Sequence, residues 1–373
     1  MILIDFSSIL HRMINGTVPN SNARKENGLY VTKDFIGMVK YFILQELFTI
    51  ERNYSLKFGN NVICLDKSNG GYWRKDVYFG YKAGRKKNRD ASEINYQEVF
   101  AEIDELLEQF KENLPWKVIE VDRAEADDSM LVLAKEYCDS ENILIHSPDK
   151  DMLQAQRDNN TVFQYSALTK KWLVPENKHD HMGQWILEHV CLGDVADEVP
   201  KVVDHTEFSD NFLKFLEDKG FIEQFDSPYK MIKENKAGNL DGSILRNLFD
   251  EFDVYKLNRK GEATDEKDIY KPIRFGPTTL HKAIESHGSL DAWLDSHPLY
   301  RSNYERNFTL VMEEGVPDYI RKQILQTFVD AKTSYNVVEF EKYLDENSLS
   351  KILMELPASF KPTGELTAED YGW

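Results

Sequence analysis

Arg123-Ala124-Glu125-Ala126-Asp127-Asp128 is the stretch from which the fold can be read. Just upstream, Trp116-Lys117-Val118-Ile119-Glu120-Val121 is a short, largely apolar run, the pattern of a strand in a buried sheet. Downstream, Ala126, Met130, Leu133, Ala134 and Tyr137 recur at helical spacing, so a helix starts inside the acidic stretch and packs one face on a core. Glu125 and Asp128 are three apart and share a face of that helix. A helix N-terminus tolerates negative charge, so an acidic first turn is unremarked when taken alone. Its weight comes from similar acids along the chain.

Ile2-Leu3-Ile4-Asp5-Phe6 and Asn61-Val62-Ile63-Cys64-Leu65-Asp66 are apolar runs that end near an Asp. Ile143-Leu144-Ile145-His146-Ser147 is another, followed by Pro148-Asp149-Lys150-Asp151, and Thr161 to Tyr165 reads as a further strand. Amphipathic helices are predicted between the strands over 33–52 and 96–112, the latter with Val99, Ile103, Leu106, Leu107 and Phe110 on one face. Alternating strands and helices predict an α/β fold with a mostly parallel central sheet flanked by helices. Ligands of such sheets bind outside the carboxyl ends of the strands, where Asp5, Asp66, Asp149 and Asp151 fall. Asp194 and Asp197, beside Gly193, add a later acidic pair.

After Pro200 the character changes. Residues 201–270 are polar and weakly periodic, Phe275-Gly276-Pro277-Thr278-Thr279 opens a turn followed by a helix, and 301–355 is helical. The expected organisation is an α/β domain over 1–200, a smaller helical domain with an insertion over 201–355, and a flexible tail over 356–373. The formal charge of −18 (46 basic against 64 acidic residues) argues against a polycation that coats nucleic acid, but leaves room for a local basic patch. Cys64, Cys138 and Cys191 are scattered, as for small apolar residues in a reducing compartment rather than a disulfide framework. The opening Met-Ile-Leu-Ile-Asp reads as a strand rather than a signal peptide, and no apolar run of about 18 residues occurs. These features predict a soluble cytoplasmic protein.

The acids suggest a metal site. Oxygen-only ligands suit Mg²⁺ or Mn²⁺, whereas Zn²⁺ prefers His and Cys. Two such cations, about 3.5–4 Å apart, can activate water and stabilise a leaving oxygen in phosphodiester hydrolysis. Asp149-Lys150-Asp151 alone is a weak signal; acidic motifs in order along an alternating α/β pattern are a much stronger one. Between Asp66 and the acidic turn, Trp73 to Arg89 carries seven basic residues and four aromatics, a mixture that fits single-stranded nucleic acid or, more plainly, a solvated basic helix.

Ile4-Asp5-Phe6-Ser7, Leu65-Asp66, Tyr72-Trp73-Arg74-Lys75-Asp76, Tyr81-Lys82-Ala83-Gly84-Arg85, Glu125-Ala126-Asp127-Asp128, Ser147-Pro148-Asp149-Lys150-Asp151 and Gly193-Asp194-Val195-Ala196-Asp197 together resemble the 5′-nuclease (flap endonuclease) superfamily, its bacteriophage members in particular. The resemblance covers 1–200 well and about 300–355 loosely. It implies a Mg²⁺-dependent 5′→3′ exonuclease and flap endonuclease, with Mn²⁺ able to substitute, that removes RNA primers and 5′ flaps during lagging-strand replication in the cytoplasm of a bacterial host. By resemblance, Asp66, Glu125, Asp127 and Asp149 hold one metal with Asp5 nearby. Asp151, Asp194 and Asp197 hold a second, and Asp128 acts through water. Lys82 and Arg85 contact the scissile phosphate, with Asp149 in the catalytic set. Arg74, Lys75, Tyr81, Lys86, Lys87 and Arg89 join them in a basic arch over about 73–95 that binds nucleic acid. The family's Gly-rich helix–turn–helix, where amides hold duplex phosphates and often K⁺, is assigned to Gly276, Thr278 and Thr279, although these lie far downstream of Asp197. The implied partners are DNA and RNA–DNA duplex with a 5′ end or flap, and a sliding clamp or single-strand-binding protein docked on the aromatic tail; the implied state is a monomer away from membranes. A PIN-type ribonuclease shares the acidic sheet ends, and a non-catalytic structure-specific DNA-binding protein is the alternative from another class.

Overall fold

The computed structural model describes the chain except residues 18–24, 27–28, 31–32, 79, 83–93, 157–159, 175–181, 204–206, 222–241, 259, 272–273, 298 and 357–373. Arg85, Lys86, Lys87 and Arg89 of the expected arch, and the tail, therefore lie outside the described residues. Two compact units form: Met1–Ile186 with Phe308–Trp373, and Leu187–Asn307.

In the first unit, β1 (Ile2–Asp5), β2 (Asn61–Leu65), β3 (Lys117–Glu120), β4 (Ile143–His146), β5 (Val162–Ser166) and β6 (Lys171–Leu173) make one sheet in the order β3-β2-β1-β4-β5-β6. All pairs are parallel except β5 with β6, so the expected mostly parallel sheet is present. β1 is central, and Ile2, Leu3 and Ile4 are fully buried because both faces are covered. Ile2 and Ile4 face a core shared with α1 (Phe6–Thr17), α2 (Lys33–Phe58) and α3 (Tyr96–Asn113), and Leu3 faces one built on α4 (Ala126–Tyr137). The chain adds β2 and β3 on one side of β1, then returns to add β4 on the other. That reversal opens a crevice at the carboxyl ends of β1 and β4, where open α/β sheets bind ligands.

Later in the chain come α5 (Met182–Leu192), α6 (Asp210–Asp218), α7 (Gly242–Glu251), α8 (Pro277–His287), α9 (Leu290–Asp295), α10 (Tyr300–Val311), α11 (Asp318–Asp330) and α12 (Val337–Glu346). The sequence reading gave all of 201–355 to a second domain, and the structure corrects this. Ile320 and Ile324 of α11 bury beside Met130 and Leu133 of α4, and Phe340 and Leu344 of α12 bury against Phe48 and Trp116. Both helices therefore cover faces of the first unit's sheet.

The second unit has two cores. One joins Cys191, Val202 and Val203 to Leu280, Trp293 and Leu294; the other joins Phe212 and Leu216 to Leu248, Phe252 and Ile269. The described residues between these two halves thus gather on their own apolar cluster. Lys201 Nζ donates to the Phe275 carbonyl at 2.7 Å, while Phe275 stacks on Trp293 at 5.9 Å. Residues 201 and 275, far apart in sequence, meet there. Among the described residues, no helix is long and apolar enough to cross a membrane.

Candidate active site

Asp5 ends β1 and caps α1: one carboxylate oxygen accepts from the Ser8 N–H at 2.9 Å, the usual bond of an N-cap. Its other oxygen accepts from the Ser147 hydroxyl at 3.0 Å. Ser147 follows β4, and its oxygen accepts from the Asp149 N–H at 3.2 Å, so one hydroxyl links the ends of the two strands that flank the crevice. Asp149 in turn accepts from the Asp151 N–H at 2.9 Å, which shapes the loop into a tight turn. Asp66, just past β2, accepts from the Ala126 N–H at 2.7 Å and so ties the first turn of α4 to the sheet.

These carboxylates feel one another. Burial first, then the charges of Asp66 and Asp149, push Asp5 up to about 6 from an ordinary 3.8, against the lowering bonds from Ser8 and Ser147. Burial and the charges of Asp5 and Asp149 raise Asp127 well above the usual carboxylate range. Asp5, Asp66, Asp127 and Asp149 thus form one mutually repelling group at the carboxyl edge of the sheet.

Glu125 and Asp128 lie in a different setting. Arg74 Nη1 bonds Glu125 Oε2 and Asp128 Oδ2, each at 3.0 Å, and its Nη2 meets Asp128 Oδ1 at 2.8 Å. The Tyr81 hydroxyl donates to Glu125 Oε2 at 2.7 Å, and Lys82 Nζ donates to Glu125 Oε1 at 2.5 Å. Asp128 also accepts from the Trp73 indole N–H at 3.0 Å and from the Glu125 N–H at 2.9 Å, the latter being one half of a capping box. Burial raises the pKa of Glu125, but the charges of Lys82 and Arg74 override it and hold that carboxyl below its ordinary range. The connecting backbone is specialised: Arg123 adopts φ 66° and Lys82 φ 51°, both in the left-handed region. The Arg123 carbonyl accepts from the Trp73 N–H at 2.9 Å and so fastens the 73–82 segment to the acidic turn.

This overturns part of the sequence reading. Arg74 and Tyr81, assigned to a nucleic-acid surface, are buried and bonded inward, because buried carboxylates need partners. Lys82 is buried on Glu125, whereas Lys75 is exposed. Asp128 is fully buried, with Arg74, Trp73 and the Glu125 amide as its partners, and works as an anchor. Trp73 and Ser147 stand in the motifs quoted from the sequence but were given no role there, and the structure bonds them to Asp128 and Asp5.

In the second unit, Asp194 Oδ1 accepts from the Ala196 and Asp197 N–H groups at 2.6 and 3.1 Å. The Asp194 and Val199 backbones pair to close the loop, and a Cβ on Gly193, at φ 66°, would sit 2.3 Å from the Val199 carbonyl oxygen. Gly276 precedes α8, and Thr278 and Thr279 are exposed in its first turn, where the Thr279 N–H donates to the Gly276 carbonyl at 3.0 Å.

Comparison with known proteins agrees with this architecture. Residues 1–183 match the family described as 5′-3′ exonuclease, N-terminal resolvase-like domain. This region is similar to the 5′-nuclease superfamily. The ribonuclease H of Enterobacteria phage T4 is 30% identical over 175 residues, covering 46% of this chain and 56% of that protein. A 5′-3′ exonuclease of Buchnera aphidicola subsp. Schizaphis graminum is 28% identical over 207 residues, covering 54% of this chain and 65% of that protein. The chain therefore aligns with less than two thirds of either relative. The structure of phage T5 5′-exonuclease with bound divalent metal ions (zinc) has the same fold, with a TM-score of 0.50, 13% identity, and coverage of 89% of this chain and 99% of that one. The acidic edge described above lies within the matched residues 1–183.

Proposed function

We propose that the protein is a divalent-metal-dependent 5′ nuclease, a hydrolase of phosphodiesters at 5′ ends and 5′ flaps of DNA and RNA–DNA duplexes. The observation that carries this reading is the repelling group Asp5, Asp66, Asp127 and Asp149 at the switch point of a 5′-nuclease domain. Its all-oxygen donor set fits Mg²⁺, with Mn²⁺ able to substitute, and fits Zn²⁺ poorly. Such cations, when bound, supply a nucleophilic water at neutral pH and neutralise charge on the leaving oxygen. The protein's own residues do the rest. Ser147 fixes the relative placement of Asp5 and Asp149, and Asp66 holds the first turn of α4. Lys82, together with Arg85, stabilises charge that develops on the scissile phosphate. Gly276, Thr278 and Thr279 receive duplex phosphates at the start of α8, with K⁺ as a candidate ion there. Removal of RNA primers and flaps in lagging-strand replication in a bacterial host cytoplasm, and a clamp or single-strand-binding protein on the tail, complete the proposal.

The test uses 5′-labelled flap, nicked-duplex and RNA–DNA hybrid substrates. Mg²⁺ or Mn²⁺ should give short 5′ products, EDTA should abolish them, and Ca²⁺ should permit binding without turnover. Undiminished cleavage in EDTA, or none with either active cation, would overturn the reading.

A further inference from the structure

We infer that Arg74 is a positioning residue that sets the acidic turn for cation binding, and is not a nucleic-acid contact. The inference rests on the carboxylate group being a cation site. Arg74 is only 5% exposed, and all three guanidinium nitrogens are engaged inside the protein. Nη1 bridges Glu125 and Asp128 at 3.0 Å each, Nη2 holds the second Asp128 oxygen at 2.8 Å, and Nε donates to the Leu310 carbonyl at 2.7 Å. The guanidinium also lies 4.5 Å from the centre of the Trp73 ring, whose indole N–H meets Asp128. A buried planar fork fixed by these inward contacts is turned toward the acidic turn and not toward a phosphate outside.

The two residues it clasps bracket Asp127. Glu125 is the N-cap of α4 and Asp128 its third residue, so fixing both fixes the backbone that carries Asp127. Asp127 lies between them in the first turn of α4. Arg74 thereby holds one wall of the acidic group in place from behind. Lysine cannot replace it, because a single ammonium cannot bridge two carboxylates and a carbonyl in one plane.

The test measures two affinities of Arg74→Lys. The first is for Mn²⁺ without nucleic acid, by calorimetry; the second is for a 5′-flap substrate in EDTA, by fluorescence anisotropy at several salt concentrations. Residues that orient metal ligands typically change metal affinity about 10–100-fold when replaced, so Mn²⁺ affinity should fall by that much. Substrate affinity and its salt dependence should match wild type. A phosphate contact would show the reverse: wild-type Mn²⁺ affinity, weaker substrate binding, and a salt slope flatter by about one unit, and that result overturns the inference. Unchanged values in both assays overturn it too. Should Arg74→Lys fail to fold by circular dichroism, Trp73→Phe keeps the guanidinium and removes only the indole bond to Asp128. A several-fold loss of Mn²⁺ affinity with unchanged substrate binding then supports the inference, and wild-type Mn²⁺ affinity overturns it. Because the readout is cation binding, a protein that binds Mn²⁺ yet cuts no 5′ end would sink the nuclease reading and leave this one standing.

Discussion

Glu125 and Asp128 occupy the same helical turn as Asp127, yet the two sets of carboxylates are treated oppositely by the fold. Glu125 and Asp128 are compensated by Arg74, Lys82, Tyr81 and Trp73, and Glu125 is held ionised despite its burial. Asp127 faces Asp5 and Asp149, and burial and repulsion drive Asp5 and Asp127 toward protonation. The difference separates acids that build the site from acids that need something else to complete it. Like charges gathered and buried at a sheet's carboxyl edge destabilise the free protein, and a cation bound among them would relieve that cost.

The largest expected effect comes from the mutually repelling set. Asp149→Asn should reduce cleavage to background in Mg²⁺ while far-ultraviolet circular dichroism stays that of wild type. Measurable cleavage by this variant would move Asp149 out of the working set. Lys82→Ala tests the other set. If Lys82 acts on the scissile phosphate, losing this electrostatic donor should lower the single-turnover rate at saturating protein by about 10²–10³-fold. Lys86→Ala and Lys87→Ala, from the same basic stretch, should alter affinity rather than that rate. Equal rates in all three variants would reduce Lys82 to a partner of Glu125.

Much of this contrast could not be read from the chain. The strands were legible because a parallel strand buried on both faces is an unbroken apolar run, and Asp5 and Asp66 stood out as acids at the ends of such runs. The orientation of Trp73, Arg74, Tyr81 and Lys82 was not legible. Basic and aromatic residues have the same composition whether they face phosphates outside or carboxylates inside, and only their partners decide. Residues 301–355 were legible as helical, but a helical pattern does not say against what the helices pack. The meeting of Lys201 with Phe275 was hidden by the more than seventy residues between them, since it exists only in three dimensions.

Glu51 sharpens the comparison further, because it shows burial without acidic neighbours. It is fully buried on α2 beside the Asn61 backbone and the Trp116 indole, and burial pushes its pKa from 4.5 up to about 7. Its raised value means that it favours folding fully below pH 4.5, and that this contribution is lost as pH rises through 7. The shift corresponds to about 3 kcal/mol. In urea unfolding with EDTA present, Glu51→Gln should therefore gain about 3 kcal/mol on wild type between pH 4 and pH 8. A pH-independent difference between the two proteins would show that Glu51 titrates normally.

The central claim is that Asp5, Asp66, Asp127 and Asp149 are held together at a cost that a divalent cation relieves. Thermal unfolding of wild type and Asp127→Asn, each with EDTA or with Mn²⁺, tests it most directly. Removing a repelling charge should make the EDTA-treated variant more stable than wild type. Mn²⁺ at about 100 times its dissociation constant should stabilise wild type by about 2.7 kcal/mol, and the variant by clearly less. A variant that is less stable than wild type in EDTA and gains as much from Mn²⁺ would contradict the account.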